Sequence, residues 1–206
     1  MLFRSGILST NLRGFDQLFE WGNSKLVFDL DDAVYGRNIV QFRHPFLRAL
    51  QDEDQTKKIS SLAAAVIAGS PYLQGQALKY NRNVYLVPTP VDTRRFQPSS
   101  RNGKRDQITI GWIGVSGTFV DYFIGMEEIL RNLARKYPVK LKIITRLKSV
   151  SLKLDGMPVQ MVDWSYETEV REMEEFDIGI MPLPDDPWTR GKCGLKLLQY
   201  MAMGIP

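Results

Sequence analysis

The sequence predicts an α/β protein built on two parallel sheets, each laid down by strands that alternate with helices. Three observations predict it. Short apolar runs alternate with longer amphipathic stretches. Several of those runs are apolar at successive positions, as strands buried on both faces are. The runs are followed by residues that start helices, such as Ser70-Pro71 and Thr118. The 206 residues are 44% hydrophobic and 24% charged, which suits a globular chain and argues against disorder or a fibrous repeat. Such a length buries a core without a disulfide or metal staple. The one cysteine, Cys193, excludes an internal disulfide and a multi-thiolate zinc site and fits a reducing cytoplasm. His44, the one histidine, has no nucleophile beside it in sequence, which weighs against an internal Ser-His-Asp or Cys-His machine.

In chain order, the expected strands are 26–28, 64–68, 84–87, 108–113, 139–144, 159–162 and 178–181. A helix is expected over 7–21, opening the chain with no strand before it, and 36–60 reads as a polar loop with one helix. Ser70 is placed to cap a helix with Pro71 at its first position. Thr118 with Asp121 resembles a capping box, and Phe119, Phe123, Met126, Leu130, Leu133 and Tyr137 recur at helical spacing up to Pro138. The stretch 88–106, rich in proline, glycine and charge, divides the chain. The expected organisation is therefore a first α/β domain over 1–97, a linker over 98–107 and a second α/β domain over 108–206. Both sheets read as incomplete, since the chain stops at Gly204-Ile-Pro206 where another strand is due. The net charge of +4 is compatible with an anionic substrate or peripheral contact with a lipid surface and is too small to call for nucleic acid. No apolar run approaches the roughly 18 residues of a membrane span, and no secretory leader is evident.

Three motifs offer chemistry. In Val27-Phe-Asp-Leu-Asp-Asp-Ala-Val34 a strand runs into carboxylates, and Asp31 and Asp32 fall at the carboxyl end that lines a ligand crevice in a parallel sheet. Alternation puts Asp29 and Asp31 on one face and Asp32 on the other. Carboxylates this close repel each other unless a cation intervenes, and hydrated turn-capping aspartates are the plain alternative. In Arg190-Gly-Lys-Cys-Gly-Leu-Lys-Leu-Leu-Gln-Tyr-Met-Ala-Met-Gly204, helical spacing buries Leu195, Leu198 and Ala202 and places Lys192, Lys196 and Gln199 on the opposite face. Cations at a helix start oppose its dipole, a penalty of a few tenths of a kcal/mol that reverses when a diphosphate sits there. Gly191 and Gly194 allow its approach. In Ile110-Gly-Trp-Ile-Gly-Val-Ser-Gly-Thr-Phe119, Gly114 and Gly117 leave room for a phosphate or sugar near the backbone, or simply form a tight turn. Arg146, Lys148, Asp185 and Asp186 are lesser candidates for phosphate or sugar contact.

Taken together, these segments resemble the GT-B glycosyltransferases of the group 1 class. Val87-Pro-Thr-Pro-Val-Asp-Thr-Arg-Arg-Phe-Gln-Pro98 is similar to the signature ahead of that family's linker. Ile108-Thr-Ile-Gly-Trp-Ile-Gly114 is similar to its first nucleotide-domain strand, and Asp177-Ile-Gly-Ile-Met-Pro182 with 194–206 to its donor-site strand and helix. The resemblance covers most of 25–206. It implies two Rossmann-like doubly wound domains, each incomplete here, with the active site between them. It implies transfer of a sugar from a nucleotide diphosphate to a carbohydrate or lipid-linked acceptor, retention at the anomeric carbon and no obligatory metal or other cofactor. A role in cell-envelope polysaccharide synthesis, in the cytoplasm or on the inner face of the membrane, goes with it. It matches Lys196 to a basic position near the diphosphate and Gly114 to the glycine that lets phosphate approach; joined with the motifs above, the expected site has Gly114, Lys192, Lys196 and Gln199 on the donor diphosphate and Asp31 and Asp32 as the catalytic candidates on the acceptor-side lip. The family's donor helix carries two glutamates separated by seven residues, and Gly191 and Gln199 stand at those positions. Two rivals remain. The Asp29–Asp31 run also resembles the opening motif of haloacid-dehalogenase-type phosphatases, although Asp32 and Ala33 depart from it. The missing glutamates suit a non-catalytic nucleotide- or sugar-binding module.

Overall fold

A computed structural model describes residues 2–4, 26–33, 35, 54–98, 106–146 and 152–206. The chain forms two compact units, residues 1–89 with Asp185–Cys193 and residues Pro90–Pro184 with Gly194–Pro206. The segment Asp185–Cys193 thus groups with the first unit, which two consecutive halves do not contain.

In the first unit, strands β1 (Leu2–Arg4), β2 (Val27–Leu30), β3 (Ala65–Ala68) and β4 (Val84–Leu86) form a parallel sheet in that order. Leu2 lies opposite Val27, Val27 opposite Ala65 and Val66 opposite Val84. β1 corrects the expectation that no strand opens the chain; its apolar run is too short to be read as one. Burial alternates along β2 and β3, so Phe28, Leu30, Val66 and Ala68 face one core while their neighbours are half-buried. That core takes Ile59 from α1 (Gln55–Leu62) and Leu73 and Ala77 from α2 (Pro71–Ala77). Ser70 caps α2 as expected, its hydroxyl accepting from the Leu73 N–H at 3.3 Å, with Pro71 at the first position. The short helix α6 (Pro187–Arg190, numbered in chain order) is closed by a capping box between Asp186 and Thr189, and Trp188 packs against the same core. The expected helix over 7–21 lies outside the described residues.

In the second unit, β5 (Ile108–Ile113), β6 (Val139–Thr145), β7 (Val159–Asp163) and β8 (Ile178–Gly179) form a second parallel sheet in the order β7-β6-β5-β8. β5 and β6 are buried at nearly every position, as a central parallel strand must be. Gly111 and Gly179 face each other across β5 and β8. A Cβ at Gly111 would meet the Phe176 ring at 1.9 Å and one at Gly179 the Tyr200 ring at 2.5 Å, so both glycines make room for aromatic packing.

The expected continuous helix after Thr118 is broken. A single turn α3 (Ser116–Thr118) runs into a π-helical turn (Phe119–Phe123), a 3₁₀ turn (Ile124–Met126) and then α4 (Glu127–Ala134). Its N-cap is Val115 rather than Thr118, and no side chain caps it. Along this interrupted path Phe119 and Phe123 are both buried against Trp112. α5 (Glu169–Met173) and α7 (Leu195–Ala202) complete the unit. Arg95, from the family-like signature, pairs with Glu169 at 2.8 Å and stacks on Tyr166, and Phe96 enters the core beside Ile113, Ile144 and Tyr200.

Candidate functional site

In the second unit the chain leaves β5 for β6 and β7 on one side and returns as β8 on the other. Connections diverge at the carboxyl end of β5, and in open parallel sheets that divergence opens the ligand crevice. Gly114 stands there, its N–H donating to the Ile144 carbonyl at 3.0 Å. α7 begins with Gly194 at φ +70°, a conformation that favours glycine, and no side chain caps its first turn.

Lys196 is the second residue of α7. Its ammonium lies over the Trp112 indole, 4.7 Å from the ring centroid. A Cβ on Gly114 would come within 2.6 Å of Lys196 Nζ and 2.7 Å of the indole, so only glycine fits beside this pair. The structure therefore brings Gly114 and Lys196 together, with Gln199 one turn further along α7 and half-buried. An anion here would meet an ammonium, an uncapped helix start and nearby backbone at once. Further along the helix Tyr200 anchors it in the core, and burial pushes the pKa of its phenol well up.

Lys192 belongs to the first unit and precedes α7, because the left-handed Gly194 starts the helix only at Leu195. The expected shared face of Lys192, Lys196 and Gln199 is corrected accordingly. So is the expected stripe: Leu195 is 43% exposed, while Tyr200 and Met203 are buried. Lys192 Nζ donates to Asp32 Oδ1 at 2.9 Å and lies 4.7 Å from the centroid of the Trp188 ring. Asp32 thus has a cation beside it from within the chain. Asp31 is exposed beyond the end of β2, and its carbonyl accepts from the Cys193 thiol at 3.0 Å. Burial pushes that thiol's pKa up, so it is a protonated donor near neutrality. Gly191 packs on Ala33, where a Cβ would fall 2.2 Å from the Ala33 methyl and 3.0 Å from its Cα. A glutamate at that position has no space. Asp29 lies within β2 and is half-buried. Among the described residues no group of three or more His, Cys, Asp or Glu side chains is arranged to hold a metal.

Of the lesser candidates, Asp186 is engaged in the α6 cap, and Asp185 grips Arg190 through two bonds of 2.6 and 2.8 Å, which hold its carboxyl below the usual range. Arg146 lies 5.7 Å from the Trp164 ring centroid; His44 and Lys148 lie outside the described residues. Sequence reasoning missed Trp112 and Trp188, because a tryptophan in an apolar run reads as core. The signal available was a lysine in each case on a segment that also carries glycine, poised to find an aromatic face.

No family model matches the sequence, and no curated protein matches it. Solved structures do. TarM superposes with a TM-score of 0.57 at 14% identity, over 87% of this chain and 35% of its own. A mutant TarM from S. aureus, in complex with fondaparinux, alpha-GlcNAc-glycerol and UDP, also gives 0.57 at 14%, over 89% and 36%. The catalytic domain of starch synthase IV from Arabidopsis thaliana, bound to ADP and acarbose, gives 0.54 at 12%, over 97% and 54%. The fold is GT-B. This chain spans between about a third and about half of the proteins it matches, and at these identities the GT-B likeness concerns the fold. No helix among the described residues is long and apolar enough to cross a membrane.

Proposed function

We propose that this chain is part of a glycosyltransferase that moves a sugar from a nucleoside diphosphate to a carbohydrate or lipid-linked acceptor, with retention at the anomeric carbon. The observation that carries the reading is the Lys196 ammonium held against Gly114 at the divergence point of the second sheet. The TarM complex with UDP and alpha-GlcNAc-glycerol and the starch synthase complex with ADP and acarbose support the choice of substrate classes. When the bond from anomeric carbon to phosphate oxygen breaks, the electron pair stays on the diphosphate. A fixed ammonium and a helix start stabilise that growing charge without reorganising. Lys196 and the first turn of α7 take the diphosphate, Gly114 admits it, and Gln199, whose amide both donates and accepts, meets ribose or sugar hydroxyls. In the first unit, Asp31 and Asp32 serve the acceptor, with Lys192 orienting Asp32. No step needs a metal.

Calorimetric titration with UDP, GDP and ADP tests this. The intact chain binds at least one of them, chelator leaves that binding unchanged, and Lys196→Ala weakens it roughly ten- to a hundredfold, as loss of a charged hydrogen bond worth about 1.5–3 kcal/mol implies. Absence of binding to all three, or indifference to Lys196→Ala, contradicts the reading.

A further inference from the structure

A lysine in the first turn of a helix is poorly placed. Its charge opposes the dipole, and its long side chain carries rotamer entropy that must be lost whenever it grips a ligand. Lys196 is not left in that condition. Its ammonium lies over an indole that is itself immobilised, since Trp112 is only 2% exposed. Phe119 meets the indole edge-on at 5.5 Å, Phe123 meets it at 5.5 Å, and the two phenyl rings stack on each other at 5.1 Å. Both phenylalanines come from the π-helical turn, so the irregular stretch after β5 presents two rings to one indole. Two residues beyond the indole, Gly114 leaves the ring uncovered where any Cβ would push the ammonium away.

We propose that Trp112 is a positioning residue, holding Lys196 by cation–π attraction at the place where the diphosphate is taken up. The inference rests on the nucleotide-sugar reading above and adds the specific group that pre-orients its cation. The face of the indole attracts the ammonium without accepting a conventional hydrogen bond, so the contact consumes none of the N–H donors that phosphate oxygens would take up.

The test replaces Trp112 with tryptophans carrying one to four ring fluorines, which drain the negative face and leave the shape nearly unchanged. UDP, GDP and ADP are the probes, with thermal unfolding as a control for folding and NMR of the Lys196 ε-methylene as a direct reporter of the ring. The affinity falls steadily with fluorination, by about fivefold at the most fluorinated ring, equivalent to about 1 kcal/mol. The ε-methylene resonance is displaced upfield by the ring current in the unsubstituted chain and returns to its ordinary position in Trp112→Leu. An affinity indifferent to fluorination, in a chain whose binding still collapses in Lys196→Ala, overturns the positioning role and leaves the glycosyltransferase reading standing. No binding of any probe to the unsubstituted chain overturns both. An ε-methylene shift unchanged by Trp112→Leu overturns the contact itself.

Discussion

Replacing Gly114 by alanine isolates the geometry on which the site depends. The added Cβ would sit 2.6 Å from Lys196 Nζ and 2.7 Å from two atoms of the Trp112 ring. Ordinary carbon contacts are about 3.5–4.0 Å, so roughly 1 Å of movement is required. Lys196 yields readily, because its ammonium is the far end of a flexible side chain. Trp112 cannot yield in the same way, because it is 2% exposed and braced by Phe119 and Phe123. The cost therefore divides into two measurable parts. Overpacking of a braced ring costs about 1–3 kcal/mol, which lowers the unfolding midpoint of a 206-residue chain by roughly 2–12 °C. Displacement of the ammonium weakens nucleoside diphosphate binding by about tenfold, equivalent to ~1.4 kcal/mol. Gly117→Ala supplies the control, since a Cβ there meets nothing within 4 Å. Thermal unfolding and calorimetric titration of both variants read the two parts separately. If Gly114→Ala behaves like Gly117→Ala in both assays, the steric reasoning fails.

Three further outcomes follow from the packing. Gly191→Ala forces a methyl into that of Ala33, which is fixed directly to the backbone and cannot step aside, so it costs about 1–3 kcal/mol and makes 185–193 more susceptible to limited proteolysis. Lys142 is fully buried in β6, with Glu172 and Glu175 each 2.7 Å from its ammonium; Glu172→Gln with Glu175→Gln strands the buried charge and costs about 3–5 kcal/mol in urea unfolding, while Lys142→Met, which leaves the more exposed carboxylates unneutralised, costs less. The Lys142 hydrogen bond holds the Glu172 carboxyl below its ordinary value. A depressed carboxylate stabilises the fold above the unfolded pKa of about 4.3, and that stability is lost as pH falls toward the folded value, so the urea midpoint drops below about pH 4.3 and Lys142→Met flattens the drop.

Much of the framework was legible because parallel strands announce themselves. The run 108–113 matches β5 at both ends, and 139–144 and 159–162 each miss one residue of β6 and β7. The Ser70-Pro71 helix start was equally plain, because one hydroxyl and one fixed φ act locally. What could not be read depends on partners distant in sequence. The break after Thr118 leaves no mark in the sequence, because a regular helix would satisfy the same spacing of Phe119 and Phe123. That Lys192 falls outside α7 while Lys196 falls within it hinges on one left-handed glycine, Gly194, whose φ a sequence does not display. Gly191 was legible as a missing glutamate, and the reason for it, the Ala33 backbone pressed against it, was not. At the site itself the sequence pointed to Gly114 and Lys196, and the indole beside them came only from the fold.

A structure determined with UDP, GDP or ADP bound tests the central claim most directly. The expected result is phosphate oxygens within hydrogen-bonding reach of Lys196 Nζ, lying against the backbone at Gly114 and the first turn of α7. Phosphates seated elsewhere, with Lys196 still over Trp112 and touching none of them, would contradict it.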